Sequence, residues 1–195
     1  MSKLKSYTSK YANKEVKVRD IFSRIWNRQF LAWKLSRFLN DKNISRYIKE
    51  AKEDRLINSR LLEKTGYSWR DIDPLGIVVY AVVRSLKPKI VVETGVQSGI
   101  SSLYILQALK KNNYGFLYSI DLPDRDLERV GEAVPDHMRD SWHLIIGNSK
   151  ELLPKLLEKL MSIDIFLHDS LHTYEHMFFE FECALKYLGE NGLIV

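Results

Sequence analysis

The chain has 195 residues, of which 45% are hydrophobic and 28% are charged, with a formal net charge of +5. This balance is typical of one globular domain with an extension, and it excludes a disordered chain. No apolar run of about 18 residues predicts a membrane span, and the first ten residues lack the apolar segment of a signal peptide. The only cysteine, Cys183, cannot form an internal disulfide. We therefore expect a cytoplasmic protein.

The basic residues are concentrated towards the amino terminus. Residues 1–60 contain 16 Lys and Arg against 6 Asp and Glu, whereas residues 61–195 contain 14 against 19. At 18–39, apolar and aromatic residues recur at helical intervals between basic ones, which predicts a basic amphipathic helix. Such a helix packs on its own domain or a second subunit, or contacts an anionic membrane surface or nucleic acid. We predict that it serves homo-oligomerisation or membrane-surface contact.

Two further helices are predicted before the first strand. Asp41 is a typical N-cap for a helix that runs to about Lys64, and Gly66 is its stop signal. A third helix opens at Asp73 and Pro74, because proline is favoured in a first helical turn, and it ends before Pro88. These helices lead the chain into an alternating region.

Strand patterns and helix patterns alternate from Ile90 onward. Strands are predicted at 90–93, 115–120, 143–146, 163–167 and from Leu193, and helices at 101–111, around 124–133, at 149–160 and at 173–188. This alternation predicts a doubly wound, mostly parallel α/β sheet, in which ligands bind beyond the carboxyl ends of the strands. We place a basic helical extension at residues 1–72 and the α/β core at residues 73–195.

A glycine turn joins the first strand to its helix. Ile90, Val91 and Val92 form a β-branched run typical of a strand that is buried on both faces. Glu93, Gly95 and Gly99 follow, and the next helix opens with polar residues. A phosphate-binding P-loop is excluded because Gly99 is followed by Ile100 rather than Lys, and a dinucleotide turn requires glycines where Gln97 and Ile100 stand. The turn still predicts a ligand site, since glycine lets the backbone approach a ligand and helix-start N–H groups bind anions.

The pattern Glu93-x-Gly95-x-x-x-Gly99 resembles motif I of class I S-adenosylmethionine-dependent methyltransferases. The resemblance implies a Rossmann-like methyltransferase sheet with a helical amino-terminal extension, and S-adenosylmethionine as cofactor. An acidic residue at the strand tip suits the cationic amino-acid tail of that cofactor. By this match the cofactor is bound by Glu93, Thr94, Gly95, Gln97, Ser98, Gly99, Ser101 and Ser102.

Two later strand ends carry further candidates for cofactor binding. Asp121 closes the second strand, where a carboxylate can accept both ribose hydroxyls; NAD enzymes use the same position, and a capping role before Pro123 is the alternative. Gly147-Asn148-Ser149 follows the third strand. In the resembled family a small polar turn lies here beside the adenine, which implies contacts from Asn148 and Ser149. Ser149 is also a plausible N-cap of the following helix.

The exit of the fourth strand is rich in histidine. His172-x-x-Glu175-His176 matches the inverted zinc-peptidase signature, although that signature needs a third ligand far downstream and only residues 177–195 follow. Together with the glycine turn, Asp169-x-x-His172-x-Tyr174-Glu175 resembles a segment of small-molecule O-methyltransferases, especially the metal-dependent group that includes macrolide-sugar and catechol-type enzymes.

This second resemblance assigns roles to two residues. It implies that Asp169 lies at the cofactor site as a ligand of Mg²⁺, and that His172 is the general base that deprotonates an acceptor hydroxyl. His168 and His176 are expected to be structural. The resembled family continues with acidic metal ligands and two more strands, so we expect this chain to be truncated after the fifth strand, at Val195.

Three different functions compete with this prediction. Nucleic-acid amine methyltransferases carry an Asn/Asp-Pro-Pro-Tyr/Phe exit from the fourth strand, whereas this chain has His-Asp-Ser-Leu-His, so the nucleic-acid signal is not strong. A NAD-dependent oxidoreductase is the second competing function, and a cofactor-binding fragment without turnover is the third. We predict a methyltransferase that acts on a hydroxyl oxygen of a small, sugar-like or phenolic acceptor.

Overall fold

The computed structural model describes residues 28–66, 75–122 and 129–195 of the chain. The chain divides into two compact units, Met1–Ser45 and Arg46–Val195. The predicted boundary between residues 72 and 73 lies outside the described residues and stays a prediction. The helices are α1 (Arg28–Leu39), α2 (Ile44–Glu53), α3 (Arg55–Thr65), α4 (Leu75–Leu86), α5 (Ile100–Asn112), α6 (Ser149–Leu160) and α7 (Tyr174–Leu185).

The first unit contains α1, the described part of the predicted basic helix. Residues 18–27 of that prediction lie outside the described residues. Trp33 and Phe38 expose 52% and 55% of their surface, and the Arg37 guanidinium lies 5.0 Å from the centroid of the Trp33 ring. A cation over an aromatic face is favourable even at an exposed position. The partner of this helix stays a prediction.

The predicted single helix from Asp41 to Lys64 is wrong, because Asp54 divides it into α2 and α3. Asp54 has extended backbone angles, and its Oδ1 accepts hydrogen bonds from the N–H groups of Leu56 and Ile57, both at 3.0 Å. Aspartate competes in this way with helix continuation and favours a new helix start. Gly66 ends α3 as predicted, with φ +72° and its N–H donated to the carbonyl of Leu62.

The sheet confirms the predicted parallel topology. Its strands are β1 (Ile90–Thr94), β2 (Phe116–Asp121), β3 (Trp142–Ile146), β4 (Ile163–His168) and β5 (Leu188–Ile194). They lie in the order β3-β2-β1-β4-β5, and all neighbouring pairs are parallel. A parallel sheet with helices between its strands is the doubly wound α/β arrangement.

Three predicted elements differ by more than one or two residues from the observed structure or are only partly described. β5 begins at Leu188 instead of Leu193, with a register shift between its pairings to Ile163 and Ile165. α7 ends at Leu185 rather than residue 188. The short helix predicted around 124–133 falls partly outside the described residues and stays a prediction, and a 3₁₀ helix follows it at Asp136–Ser141.

The core lies between the sheet and the helices on its two faces. On one face Val92, Phe166, Leu153 and Leu157 are completely buried between the sheet and α6 and α7. Cys183 of α7 belongs to the same cluster and is a free, buried thiol. α4 is buried from Ile77 to Val83. In the described ranges no helix is long and apolar enough to cross a bilayer.

Because the strands are parallel, their carboxyl ends meet at one edge of the sheet. Thr94 at the end of β1 pairs in register with Ile120 of β2 and with His168 of β4. Asp121 of β2 pairs with Ile146 of β3. The predicted site residues after these strands therefore lie at a common edge, where doubly wound sheets bind ligands.

Candidate functional site

The glycine turn, residues 95–99, lies at the carboxyl end of β1 and requires both of its glycines. Gly95 and Gly99 have φ values of +85° and +84°. A Cβ atom on Gly95 would overlap the carbonyl group of Asp169, and one on Gly99 would lie 2.8 Å from the Cα atom of Gly131. Backbone from two other loops therefore packs directly against the turn.

The turn leaves the start of α5 without a side-chain cap. Gly99 is the N-cap residue, and as a glycine it offers no side chain to accept hydrogen bonds from the first backbone N–H groups of α5. Helix-start N–H groups need partners from outside the helix, and they favour negatively charged groups. The geometry suits a ligand with a carboxylate or hydroxyl oxygen above residues 99–102.

Neighbouring loops fix the backbone of the turn. The carbonyl oxygens of Gln97 and Ser98 accept the N–H groups of Gly131 and Ala133 at 2.8 and 2.9 Å. Gln97 has a φ of +49°, which is uncommon for a residue other than glycine, and its side chain is exposed. Its N–H donates to Oδ2 of Asp121 at 2.8 Å. Such a backbone conformation persists only where the surroundings impose it, and it is frequent at ligand sites.

Glu93 lies behind the turn, not in it. Its carboxylate is completely buried and accepts hydroxyl hydrogen bonds from Ser101 and Ser102 at 2.6 Å and from Ser119 at 2.8 Å. Ser119 in turn accepts the indole N–H of Trp142 at 2.9 Å. We call these five residues the Glu93 cluster. Burial raises the pKa of Glu93 to about 7, although the three serine hydroxyls oppose that rise.

The Glu93 cluster gives three of the predicted cofactor-binding residues contacts inside the protein. The sequence analysis assigned Glu93, Ser101 and Ser102 to direct cofactor binding. Their side chains contact one another inside the protein, so their observed contribution is to join β1 and β2 to the start of α5. A direct contact with a ligand would require the serine hydroxyls to leave the carboxylate, and their direct binding role stays a prediction.

The candidates after β2 and β3 contact backbone groups. One oxygen of Asp121 accepts the Gln97 N–H, so Asp121 helps to fix the glycine turn. Asn148, rather than Ser149, is the N-cap of α6, because its Oδ1 accepts the N–H of Lys150 at 2.9 Å. The Ser149 hydroxyl lies 3.1 Å from Nε2 of His176. Ribose and adenine contacts from these residues stay predictions.

A second buried carboxylate, Glu180 of α7, was missed by the sequence analysis. It is fully buried, and its oxygens lie within hydrogen-bond distance of Thr94 (2.6 Å), His168 (2.7 Å), Ser170 (3.0 Å) and His176 (2.8 Å). We call these five residues the Glu180 cluster. Its sequence signal is one acidic residue inside the aromatic run Phe178–Phe181, four residues after His176.

The Glu180 cluster stabilises the ionised carboxylate. Burial by itself raises the pKa of Glu180, but hydrogen bonds from neighbours that include His168 and Thr94 outweigh it and lower the pKa to about 2. Hydrogen bonds to a charged group are the strong ones, and several donors to one carboxylate favour its charged form. The cluster therefore fixes a negative charge beneath the exits of β1 and β4.

Asp169 and His172 lie on the surface of the same region. Nε2 of His172 lies 3.6 Å from Oδ1 of Asp169, and their side chains are 64% and 39% exposed. His172 precedes α7, whereas His176 lies in the helix and contacts Glu180, so the two histidines do not form the paired face of a zinc-peptidase helix. Within residues 28–66, 75–122 and 129–195, no three His, Cys, Asp or Glu side chains are grouped to bind a metal ion.

Residues 92–195, more than half of the chain, match a family described as a methyltransferase domain. The chain belongs to this methyltransferase family. No curated protein is significantly similar in sequence to this member of the family.

Solved methyltransferase structures share the fold of this family member. They include an O-methyltransferase from Bacillus cereus in complex with S-adenosylhomocysteine (SAH), with a TM-score of 0.58 at 16% identity over 73% of this chain and 65% of that one. An SAH-bound methyltransferase from Podospora anserina has a TM-score of 0.55 at 18% identity over 87% and 69% of the two chains. An O-methyltransferase of tomaymycin synthesis from Streptomyces achromogenes, in complex with S-adenosylmethionine, has 0.55 at 20% over 73% and 64%.

These similarities concern the fold, which is that of class I S-adenosylmethionine-dependent O-methyltransferases. The chain spans 65% of the length of the Bacillus cereus protein and 64% of that from Streptomyces achromogenes.

The close packing at Gly95 generates a first prediction. Gly95→Ala should lower the free energy of unfolding by about 3 kcal/mol or more, because it combines a strained backbone with overlap against Asp169. Gly66→Ala is the matched control, since Gly66 also has a positive φ but no atom within 4 Å of its added Cβ; it should cost about 1 kcal/mol. Urea unfolding measures both. Equal losses in the two variants would contradict the close approach at Gly95.

The raised pKa of Glu93 generates a second prediction. The carboxyl has a pKa of about 7 in the folded chain against an ordinary value of 4.5, so the folded chain binds more protons between these values. The free energy of unfolding therefore falls as pH rises through this window. Glu93→Gln should remove about 3 kcal/mol of that fall between pH 4.5 and 8, since each pKa unit is worth about 1.4 kcal/mol.

Urea unfolding at a series of pH values measures this effect. Glu158→Gln is the control, because Glu158 is an exposed carboxylate of α6. An unchanged pH profile in Glu93→Gln would show that the Glu93 carboxyl does not titrate in this window.

Proposed function

We propose that this chain forms the cofactor-binding part of an S-adenosylmethionine-dependent methyltransferase that acts on a hydroxyl oxygen of a small, sugar-like or phenolic acceptor. The observation that carries the proposal is the glycine turn, with an uncapped helix start above it and backbone from two loops packed against it. Membership of a methyltransferase family and the fold shared with O-methyltransferases support it.

The cofactor contacts follow from the chemistry of S-adenosylmethionine. Its carboxylate suits the uncapped N–H groups at the start of α5. Asp121 accepts the ribose hydroxyls, because a carboxylate has about four lone-pair positions and the Gln97 N–H uses one of them. Asn148, at the end of β3, is the candidate for the adenine edge. Gln97 and Ser98 line the turn, where the ribose and tail approach the backbone.

Methyl transfer then requires an oxygen nucleophile and a base. His172 is exposed beside Asp169 at the mouth of this site, so it is accessible to an acceptor hydroxyl. In its neutral form the imidazole takes the hydroxyl proton while the oxygen forms a bond to the sulfonium methyl carbon. The carbon–sulfur bond breaks, its electron pair stays on sulfur, and the products are the methyl ether and SAH.

The described residues do not form a complete binding site for magnesium. A hard divalent cation takes several oxygen ligands, whereas the described residues offer Asp169 with an imidazole 3.6 Å away and no group of three ligands. Metal assistance through Asp169 stays a prediction. Cytoplasmic location and a subunit or membrane contact for the basic helix also stay predictions.

Calorimetric titration with SAH tests the cofactor assignment, and NADH serves as the comparison because an oxidoreductase would use Asp121 in the same way. We expect SAH alone to bind, and Asp121→Ala to weaken its binding by about 10-fold to 100-fold, since hydrogen bonds to a charged group are lost. Asp136→Ala is the control, because the Asp136 side chain is fully exposed. Binding of NADH without SAH would contradict the proposal.

Transfer of labelled methyl from S-adenosylmethionine to a panel of catechols and sugars tests the base. With an accepted substrate, His172→Ala should lower turnover by about 100-fold or more and leave SAH affinity unchanged, because the base acts only in the chemical step. His137→Ala, which alters another exposed histidine, should retain full turnover. Full activity of His172→Ala would remove His172 from the base role.

A further inference from the structure

Among the described residues, one polar atom of the Glu180 cluster lacks a hydrogen-bond partner. Nε2 of His168 is buried and has no hydrogen-bond partner among the residues that the structure describes, and the His168 side chain is only 3% exposed. Nearly all buried polar atoms in folded proteins are paired with protein, water or ligand, so an unpaired one indicates a missing partner.

The chemistry of Glu180 determines what that partner is. An ionised carboxylate only accepts hydrogen bonds, so His168 donates its Nδ1–H to Oε2 of Glu180 at 2.7 Å. The neutral imidazole then has its lone pair on Nε2, which is a hydrogen-bond acceptor. A carboxylate on the opposite nitrogen fixes this tautomer and the orientation of the ring. The missing partner is therefore a donor, and a cationic donor is favoured by the negative charge of Glu180.

The position of His168 brings this acceptor to the glycine turn. His168 is the last residue of β4 and pairs in register with Thr94, the residue that precedes Gly95. The ring of His172 lies edge-to-face against His168, with 5.3 Å between the ring centroids. The His172 side chain is 64% exposed, so the ring that contacts His168 itself borders the solvent.

A ligand donor of the right chemistry is already required at this edge. The sequence analysis assigned the cationic tail of the cofactor to Glu93, but that carboxylate is enclosed by three serine hydroxyls. Glu180 is also a buried carboxylate. It contacts Nδ1 of His168, and Nε2 of that ring is an acceptor that no described residue uses. The two carboxylates lie at neighbouring residues of β1, since Glu93 is part of that strand and Glu180 of α7 contacts the adjacent Thr94.

We propose that Nε2 of His168 accepts a hydrogen bond from the α-ammonium group of the cofactor's amino-acid tail, so that His168 is a cofactor-contacting residue. This inference rests on the proposed function. By this contact, Nε2 of His168 favours a ligand that carries the amino-acid tail over one that has only the adenosine part.

Two isosteric substitutions separate the two nitrogens of His168. His168→Asn places an amide near Nδ1, retains the hydrogen bond to Glu180 and removes Nε2, whereas His168→Gln places an amide oxygen near Nε2. We expect His168→Asn to weaken SAH binding by about 10-fold or more in calorimetry, because a charged hydrogen bond is lost. His168→Gln should bind SAH more tightly than His168→Asn. Binding of 5′-methylthioadenosine, which lacks the amino-acid tail, should be equal in all three proteins.

A measurement on the unaltered chain covers the case in which a variant fails to fold. With nitrogen-15 histidine, the Nε2 resonance of His168 should shift on addition of SAH and stay in place with 5′-methylthioadenosine.

Two kinds of result would overturn the proposal. The first kind is an unchanged SAH affinity in His168→Asn, an equal loss of affinity for SAH and 5′-methylthioadenosine, or an Nε2 resonance that does not shift with SAH. Each of these results would assign Nε2 to another partner, such as a buried water molecule. Those outcomes leave the proposed function intact, because SAH still binds. Failure of SAH to bind the unaltered chain would instead overturn the proposed function and this inference together.

Discussion

The rest of the site depends on the buried carboxylate of Glu93 and the three serine hydroxyls that it accepts. These hydrogen bonds connect β1 to the first turn of α5 and to Ser119 of β2, which continues the connection to Trp142 of β3. The two ends of the glycine turn are therefore attached to the same carboxylate. A fully satisfied buried network of this kind specifies one arrangement, since any other leaves a polar group unpaired at a high cost.

The Glu180 cluster is the counterpart on the other face of the sheet. Successive residues of a strand point to opposite faces of the sheet. The Glu93 side chain therefore lies in one cluster, whereas the side chain of the next residue, Thr94, donates a hydrogen bond to Glu180 in the other. Their environments separate the two acids. Glu93 meets neutral hydroxyls, and burial raises its pKa, whereas Glu180 also meets imidazoles, and its pKa is lowered. The edge of the sheet thus combines a carboxyl that exchanges protons near neutral pH with one that stays charged.

The fold was largely predictable from the sequence, because β-branched runs, glycines and helical periodicity are local signals. The alternation from Ile90 to Leu185 predicted the parallel sheet, and Gly66 ended its helix as expected. The split of the second predicted helix was not expected, since its cause is the single side chain of Asp54, which accepts two backbone N–H groups. The two carboxylate clusters were also beyond sequence reasoning. Glu180 contacts Thr94 across 86 residues, and no local pattern specifies which hydroxyl reaches which acid.

The position of Cys183 makes its reactivity a measure of how firmly α7 packs on the sheet. This thiol lies one helical turn beyond Glu180, it is the only cysteine of the chain, and burial raises its pKa. A protonated, enclosed thiol reacts slowly with alkylating reagents. Modification then proceeds mainly through transient openings of α7, so the rate of thiol labelling records how often this helix separates from the sheet. Any ligand that tightens the Glu180 cluster would slow that chemistry without touching the sulfur atom.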